Sequence, residues 1–247
     1  MLEQYLKFIE QLPNSRELTK EDLTHTNFLI AKENNLEMYY SPHNLCINNK
    51  AKIVIIGITP GWTQMKKAFE TFVALKAKGK VSLCIILKET KKAASFSGTM
   101  RSNVIDMLDE CNLHGALGLP STSYIFGENR SLLHTTSLIK FPVFYKDKNY
   151  TGHQPKIESS PLLSSYAYND FLDEISSLPQ SSLLIPLGKR VESIINELKQ
   201  QGKITQDFLQ GFPHPSGANG HRVKEFSKHK SCLIDRIAYW RQSESNL

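Results

Sequence analysis

Two glycine-bearing turns, far apart in the chain, contain groups suited to ligand chemistry. The first is Gly57-Ile58-Thr59-Pro60-Gly61, which follows the apolar run 52–56. The second is His214-Pro215-Ser216-Gly217-Ala218-Asn219, which follows 208–212. In an open parallel sheet, ligands bind where the carboxyl ends of the strands meet. The two turns are therefore predicted to form two walls of one site, and the second wall carries an imidazole.

The first turn is suited to a close approach of backbone to ligand. Gly57 and Gly61 allow this approach or a positive φ, and Pro60 stiffens the chain between them. Such a turn presents backbone groups to a flat polar ligand or a phosphate. The P-loop and GxGxxG patterns are absent from the sequence. Taken alone, the motif is also compatible with a tight strand-to-helix turn that binds nothing.

The second turn is more specific. His214 lies between Pro213 and Pro215, so its backbone is restricted. Ser216 can cap the following turn or contact a phosphate, and the segment 217–220 can approach a groove. A basic flank suited to phosphates follows it: His221, Arg222, Lys224, Lys228, His229 and Lys230. The alternative for His214 is a histidine with only a structural role in the turn. The alternative for the basic flank is the solvent-exposed face of a helix.

Composition and charge limit the class of protein. The chain has 247 residues, 40% hydrophobic and 22% charged, which is ordinary for a globular protein. Thirty Lys and Arg against 24 Asp and Glu give a net charge of +6, which permits nucleic-acid binding without requiring it. No apolar stretch is long enough to span a bilayer. The sequence starts with no secretory signal pattern.

The cysteines favour a reducing compartment. Cys46, Cys84, Cys111 and Cys232 are scattered, and none lies in a CxxC or a Cys/His cluster. Neither zinc nor an iron–sulfur cluster is indicated. We therefore expect a cytoplasmic protein with no cofactor, no metal and no membrane partner.

Strands and helices alternate in the hydrophobic pattern, which predicts an α/β fold with a parallel sheet covered on both faces. Two amphipathic helices are predicted within 1–35, and a long loop over 141–162. The predicted strands are 52–58, 81–87, 132–139, 182–187 and 208–212. The other predicted helices are 63–78, 99–112, one from Gly188 through Leu198, and 225–241.

Together the two turns resemble the active-site motifs of the uracil-DNA glycosylase superfamily, strand-GxxPG and strand-HPSxxN. The residues of the two motifs are most similar to those of the mismatch-specific and single-strand-selective branches. Three intermediate stretches are similar to family segments: 95–101 to the Phe-x-Gly opening of a helix, 132–140 to the strand that ends at a base-reading Asn, and 184–188 to the penultimate strand. The resemblance covers roughly residues 50–240, in the family's order.

The resemblance implies a three-layer α/β/α sandwich with a central, mainly parallel four-stranded sheet. Residues 1–45 would be a helical extension packed on the core, and 46–247 a single glycosylase-like domain. The segment 63–94 is an insertion relative to the family and could widen the pocket or add a DNA contact. A monomer is expected.

The implied activity is flipping of a base out of double- or single-stranded DNA and hydrolysis of its N-glycosidic bond. By resemblance, His214 stabilises negative charge on the departing base, and Phe96 stacks on the base. The implied base pocket also contains Gly57, Ile58, Pro60 and Gly61. The implied DNA contacts are Ser216 and the tip Gly217-Ala218-Asn219, with Ala218 as a small wedge, together with Arg222 and Lys224.

Two departures from the family pattern affect the expected chemistry. Thr59 stands where most branches have Asp, Asn or Glu. A hydroxyl can hold the attacking water but cannot take its proton. Either Thr59 positions the water alone, or a carboxylate elsewhere in the chain, such as Asp106 or Glu128, does so. The base-reading position is Thr135, Thr136 or Ser137 instead of Asn.

A hydroxyl reads a base edge less strictly than an amide does. The expected substrate is therefore a modified or damaged base other than simple uracil, such as a modified cytosine, with a role in repair or in defence against modified viral DNA. The alternatives are a catalytically silent DNA- or partner-binding module and a hydrolase of free nucleosides or nucleotides.

Overall fold

Seven strands form two separate sheets in residues 1–245, the part of the chain that the computed structural model describes. The strands are β1 (Leu29–Glu33), β2 (Leu36–Tyr39), β3 (Ile53–Gly57), β4 (Leu133–Ser137), β5 (Val143–Tyr145), β6 (Lys148–Asn149) and β7 (Leu183–Pro186). The first of the two compact units comprises 1–47, 59–97 and 139–169. The second comprises 48–58, 98–138 and the chain from Asp170 onward.

The helices lie before, between and after these strands. They are α1 (Leu2–Ile9), α2 (Lys20–Leu23), α3 (Trp62–Ala77), α4 (Leu83–Ala94), α5 (Thr99–Glu110), α6 (Leu113–Ala116), α7 (Ser123–Phe126), α8 (Pro161–Ser165), α9 (Phe171–Ser176), α10 (Lys189–Gln200) and α11 (Arg222–Ser245). Short 3₁₀ turns occur at Thr26–Phe28, Pro42–Asn44, Arg130–Leu132 and Ile157–Ser159, and a π-helical turn at Tyr166–Asp170.

The second unit contains the parallel sheet, in the order β4-β3-β7. All residues of the three strands are buried, as expected for a parallel sheet covered on both faces. The predicted strand at 208–212 adds an isolated parallel bridge between Leu184 and Phe208. The α/β class and the parallel pairing are confirmed, but three strands and a bridge stand where four strands were predicted.

The first unit contains an antiparallel sheet in the order β1-β2-β5-β6, which the sequence did not predict. The interpretation of 141–162 as a loop was wrong, since β5 and β6 lie there. The second amphipathic helix predicted within 1–35 was also wrong: the short α2 ends at Leu23, and 29–33 is β1.

The strand predicted at 81–87 is also wrong, because this run begins α4. The Ser82 hydroxyl accepts a hydrogen bond from the Ile85 N–H and caps the helix. Burial then follows helical spacing, with Ile86, Thr90 and Ala94 inside. The apolar run is thus helical, and Ile85 is exposed on it.

Candidate active site

The histidine turn lies against the carboxyl end of β7. The Gly188 N–H donates to the Phe212 carbonyl at 3.0 Å, just after the strand. Gly188 has φ +89°, and a Cβ there would lie 3.0 Å from the Cβ of His214. Only glycine accommodates both the positive φ and this close approach. The sequence therefore places His214 at the carboxyl edge of the parallel sheet.

The environment of His214 favours a neutral imidazole with a defined tautomer. The side chain is partly buried, and this desolvation lowers its pKa below the ordinary value of 6.5. Its Nδ1 accepts a hydrogen bond from the Ser216 N–H at 3.3 Å. In the neutral ring the proton then resides on Nε2, which is a hydrogen-bond donor.

The tip of the turn is organised by its own side chains. The Ser216 hydroxyl accepts from the Ala218 N–H at 3.2 Å, so it fulfils the capping role, one of the two roles predicted for it. The Asn219 amide donates to the His214 carbonyl at 3.1 Å, and its oxygen accepts from the His221 N–H at 3.1 Å. Gly217 and Ala218 are left exposed at the tip.

Two further side chains hold the turn. Arg222 donates to the Ser216 carbonyl at 3.1 Å, and the Asn103 amide donates to the Pro215 carbonyl at 2.7 Å. Asn103 comes from α5 and has no signal in the sequence motif. Lys224 is exposed on α11. The contacts of Arg222 and Lys224 with phosphate remain predictions.

The end of β4 lies at the same edge of the sheet. Ser137 pairs with Gly57, and the Leu138 N–H donates to the Gly57 carbonyl at 2.9 Å. Thr135, Thr136 and Ser137 are all buried. Within residues 1–245 the Thr136 hydroxyl has no hydrogen-bond partner. A buried polar atom of this kind calls for a ligand or a water.

Sequence reasoning missed a pair of arginines in the second unit. Arg130 donates from Nη2 to the Thr135 hydroxyl at 3.0 Å. Desolvation, together with the charge of Arg101, lowers the pKa of Arg130 to about 10. Arg101 lies 5.5 Å from the centre of the Phe126 ring, a cation–π distance. These side chains make the surroundings of Thr135 electropositive.

In the first unit, Thr59 has a structural role. Its hydroxyl donates to the Phe141 carbonyl at 2.6 Å and accepts from the Val143 N–H at 3.2 Å, so it holds the first turn to the start of β5. A hydroxyl has one proton, so only a lone pair remains for a water. Asp106 and Glu128 are exposed. The choice of water-positioning residue remains a prediction.

The substitution Thr59→Val is expected to lower the free energy of unfolding by about 1–3 kcal/mol, since it leaves a carbonyl and an N–H without their partner. Urea unfolding measures the change. The exposed Thr151 provides the matched control, and Thr151→Val should cost less than about 0.5 kcal/mol. Equal stability of the two variants would contradict the structural role of Thr59.

The end of the first turn, at Gly61, is packed against Asn149 of the same unit. The Asn149 side chain accepts from the Trp62 N–H at 3.0 Å at the start of α3. A Cβ on Gly61 would lie 3.3 Å from the Asn149 amide nitrogen, which explains the glycine. Pro60 is buried. Asn149 was not among the predicted site residues, because it is remote from the motif in sequence.

Phe96, the predicted stacking aromatic, has a strained backbone. Its φ is +49°, in the left-handed region that bulky residues avoid, and its N–H donates to the Gln64 side chain at 3.3 Å. The side chain is 3% exposed. Stacking on a base would require the ring to be uncovered, so this role remains a prediction.

The structure assigns the predicted site residues to both units. Gly57, Ile58, the end of β4 and the histidine turn belong to the second unit, where Gly57, Ser137 and His214 lie at one sheet edge. Thr59, Pro60, Gly61 and Phe96 belong to the first. In residues 1–245, no cluster of three or more His, Cys, Asp or Glu side chains is arranged to hold a metal ion. Over the same residues, no helix has the length and apolar character that crossing a membrane requires.

Comparison with known proteins gives one strong relationship. "Uncharacterized protein YoxB" of Bacillus subtilis strain 168 is 49% identical over 237 residues, covering 96% of this chain and 91% of YoxB. No family model matches the chain. Among solved structures, SMUG2 of Pedobacter heparinus covers 98% of both chains with a TM-score of 0.45 and 12% identity. That likeness is too weak to carry an argument about fold or site.

Proposed function

This chain belongs to the protein family that includes Bacillus subtilis YoxB, and we propose that it is a monofunctional DNA N-glycosylase. The observation that carries the proposal is the placement of His214. Its ring lies at the carboxyl edge of a parallel sheet, and Nδ1 accepts from the Ser216 N–H, which leaves Nε2 as the donor of a neutral imidazole. The resemblance of both turns to the uracil-DNA glycosylase superfamily supports the same activity.

In the proposed reaction the bond between C1′ of the sugar and the base nitrogen breaks, and the base leaves with the bonding electrons. The Nε2–H of His214 donates to the base oxygen on which negative charge develops. A donor placed in advance stabilises this charge without reorganising at the moment of reaction. Water then adds to C1′, and its proton passes through solvent to the departed base anion, which gives an abasic site and a neutral free base.

DNA binding is proposed to involve the exposed tip of the histidine turn. Gly217 and Ala218 are exposed, and the hydrogen bonds of Ser216 and Asn219 fix the loop behind them. Ala218 would enter the gap left by the flipped base, while Ser216, Arg222 and Lys224 contact phosphates. Because the loop is organised in advance, little ordering entropy is lost on binding.

The proposed substrate is a modified or damaged base other than uracil, with modified cytosines as one class. Support comes from the end of β4, where hydroxyls replace an amide and Arg130 bonds Thr135. Arginine supplies donors only, so this surface favours a base rich in acceptor groups. Repair, or defence against modified viral DNA, would follow from such a specificity.

Oligonucleotides that contain uracil, hypoxanthine, alkylated, hydroxymethylated or glucosylated bases test the proposal. Release of a free base with formation of an alkali-labile abasic site is the expected result for at least one of them. Tight DNA binding without release of any base would overturn it. That outcome would favour the second candidate, a catalytically silent DNA-binding module. The Thr59 hydroxyl supports this candidate, because it already donates its proton to the Phe141 carbonyl.

The rate of base release is expected to fall at acid pH with a midpoint below 6.5. Burial disfavours the imidazolium, so His214 stays neutral at and somewhat below its ordinary pKa. At lower pH Nδ1 takes a proton and can no longer accept from the Ser216 N–H, so the hydrogen bond that positions the ring and its Nε2–H is lost. Single-turnover rates across the acid range measure this limb. His214→Gln should lack it, and an unchanged limb in that variant would assign it to another group.

A further inference from the structure

The positive charge of this chain is concentrated in one helical hairpin. The segment 62–94, here called the lysine hairpin, comprises α3, α4 and the turn between them. It contains eight lysines and two glutamates, a net charge of +6. The whole chain also has a net charge of +6, so the remaining residues contribute 22 cationic and 22 anionic side chains and no net charge.

The lysine hairpin has a packed interior and an exposed end. Met65, Phe69 and Phe72 of α3 and Ile86 of α4 are fully or almost fully buried, and the two helices pack against each other. At the far end, 76–80 and 82–85 are exposed without interruption. The lysine hairpin therefore has a packed base and a tip that faces solvent.

Part of the charge is neutralised locally, and part is not. Lys66 lies 2.7 Å from Glu17, and Lys76 lies 3.2 Å from Glu10. Four other lysines are exposed, and within residues 1–245 none of them forms a salt bridge: Lys67, Lys78, Lys80 and Lys88. Three of these lie at or near the tip.

Apolar side chains accompany the cations at the tip. Leu83 is 38% exposed and Ile85 is 52% exposed, both on the first turn of α4. Exposed aliphatic groups beside lysines complement a sugar–phosphate backbone, in which anionic phosphates alternate with apolar deoxyribose faces. A net charge this localised is the electrostatic footprint of a nucleic-acid surface.

We propose that the lysine hairpin is a second DNA contact, which binds the phosphate backbone without reading sequence. Lys78, Lys80 and Lys88 neutralise phosphates, and Leu83 and Ile85 lie against the sugars. The inference rests on the proposed function, since that function makes DNA the partner. It goes beyond it by assigning a binding surface outside both turn motifs.

The test compares two triple variants of equal charge change. Lys78→Gln, Lys80→Gln and Lys88→Gln remove the tip charges, while Lys50→Gln, Lys156→Gln and Lys203→Gln remove three exposed lysines outside the hairpin. Fluorescence anisotropy of a labelled duplex over a salt series gives the affinity and its salt dependence. The hairpin variant should bind at least tenfold more weakly at low salt. Its log–log salt slope should be shallower by about 2–3, since each phosphate contact contributes about 0.9.

Equal weakening by the two triple variants, or an unchanged slope in the hairpin variant, would overturn the inference. Unchanged DNA affinity would instead indicate an acidic protein as the partner of the hairpin. The binding measurement does not depend on chemistry. If no base is released from any substrate but the hairpin variant binds DNA weakly, the proposed function fails and the hairpin contact stands. If base is released but the hairpin variant binds DNA as tightly as wild type, the proposed function stands and the hairpin contact fails.

Discussion

Replacing His214 with alanine is expected to slow base release by about 10²–10³-fold with the fold intact. The substitution removes the Nε2–H that is proposed to stabilise the leaving base, and loss of one such donor costs about 2.7–4 kcal/mol of transition-state stabilisation. Single-turnover rates at saturating DNA measure the effect. His153→Ala is the matched control, because His153 is exposed and far from the motif in sequence.

His214→Gln separates the chemical role of this residue from its structural role. Alanine also removes the acceptor of the Ser216 N–H, which could loosen the turn. Glutamine retains an N–H donor and should recover part of the lost rate. If His214→Ala and wild type release base equally fast, His214 is a structural turn histidine and the proposed mechanism is wrong.

The strands β3 and β7 of the parallel sheet could be predicted because they are uninterrupted apolar runs. Burial of β3 and β7 on both faces leaves no alternation to misinterpret, and the turns after them carry the glycines that their geometry requires. The helix α10 was equally clear, with Val191, Ile194 and Leu198 buried at helical spacing. Each of these features depends on residues that are close together in the chain, so a short stretch of sequence is enough to predict it.

The errors lie where local pattern and tertiary context disagree. An apolar run as short as 81–87 does not distinguish a strand from a helix. The Ser82 cap and the packing of α4 against α3 both favour the helix. The strands β5 and β6 have three and two residues, too few for any periodicity. β5 is stabilised by pairing with distant β2, and β6 by pairing with β5. No short window of sequence contains the pairing with β2.

The candidate site divides in the same way. The motif residues His214 and Ser216 could be proposed from the sequence because their spacing is local. Asn103 and Arg130 were missed, since each acts on the site only through the fold: Asn103 bonds the Pro215 carbonyl across 112 residues of chain. Sequence patterns therefore reveal residues of one motif more readily than the distant residues that hold that motif in place.

Gly188→Ala is expected to disable the histidine turn from outside the motif. An added Cβ would lie 3.0 Å from the His214 Cβ and 3.4 Å from its backbone N, so the turn must shift by a few tenths of an ångström or more. Alanine at φ +89° is also strained, by about 1–3 kcal/mol. We expect the free energy of unfolding to fall by that amount. We also expect the rate of base release to fall by up to 10²-fold, since small displacements of a catalytic group are costly.

Gly202→Ala separates the two effects. Gly202 has φ +70°, so alanine is strained there as well, but no heavy atom of the described residues lies within 4 Å of the added Cβ. Its stability should fall by a similar amount with the rate at saturating DNA unchanged. Thermal unfolding and single-turnover kinetics on both variants give the comparison. A rate loss in Gly188→Ala alone would show that the close approach of Gly188 positions His214, whereas equal rates in both variants would mean that the turn tolerates displacement and the imidazole does not need this position.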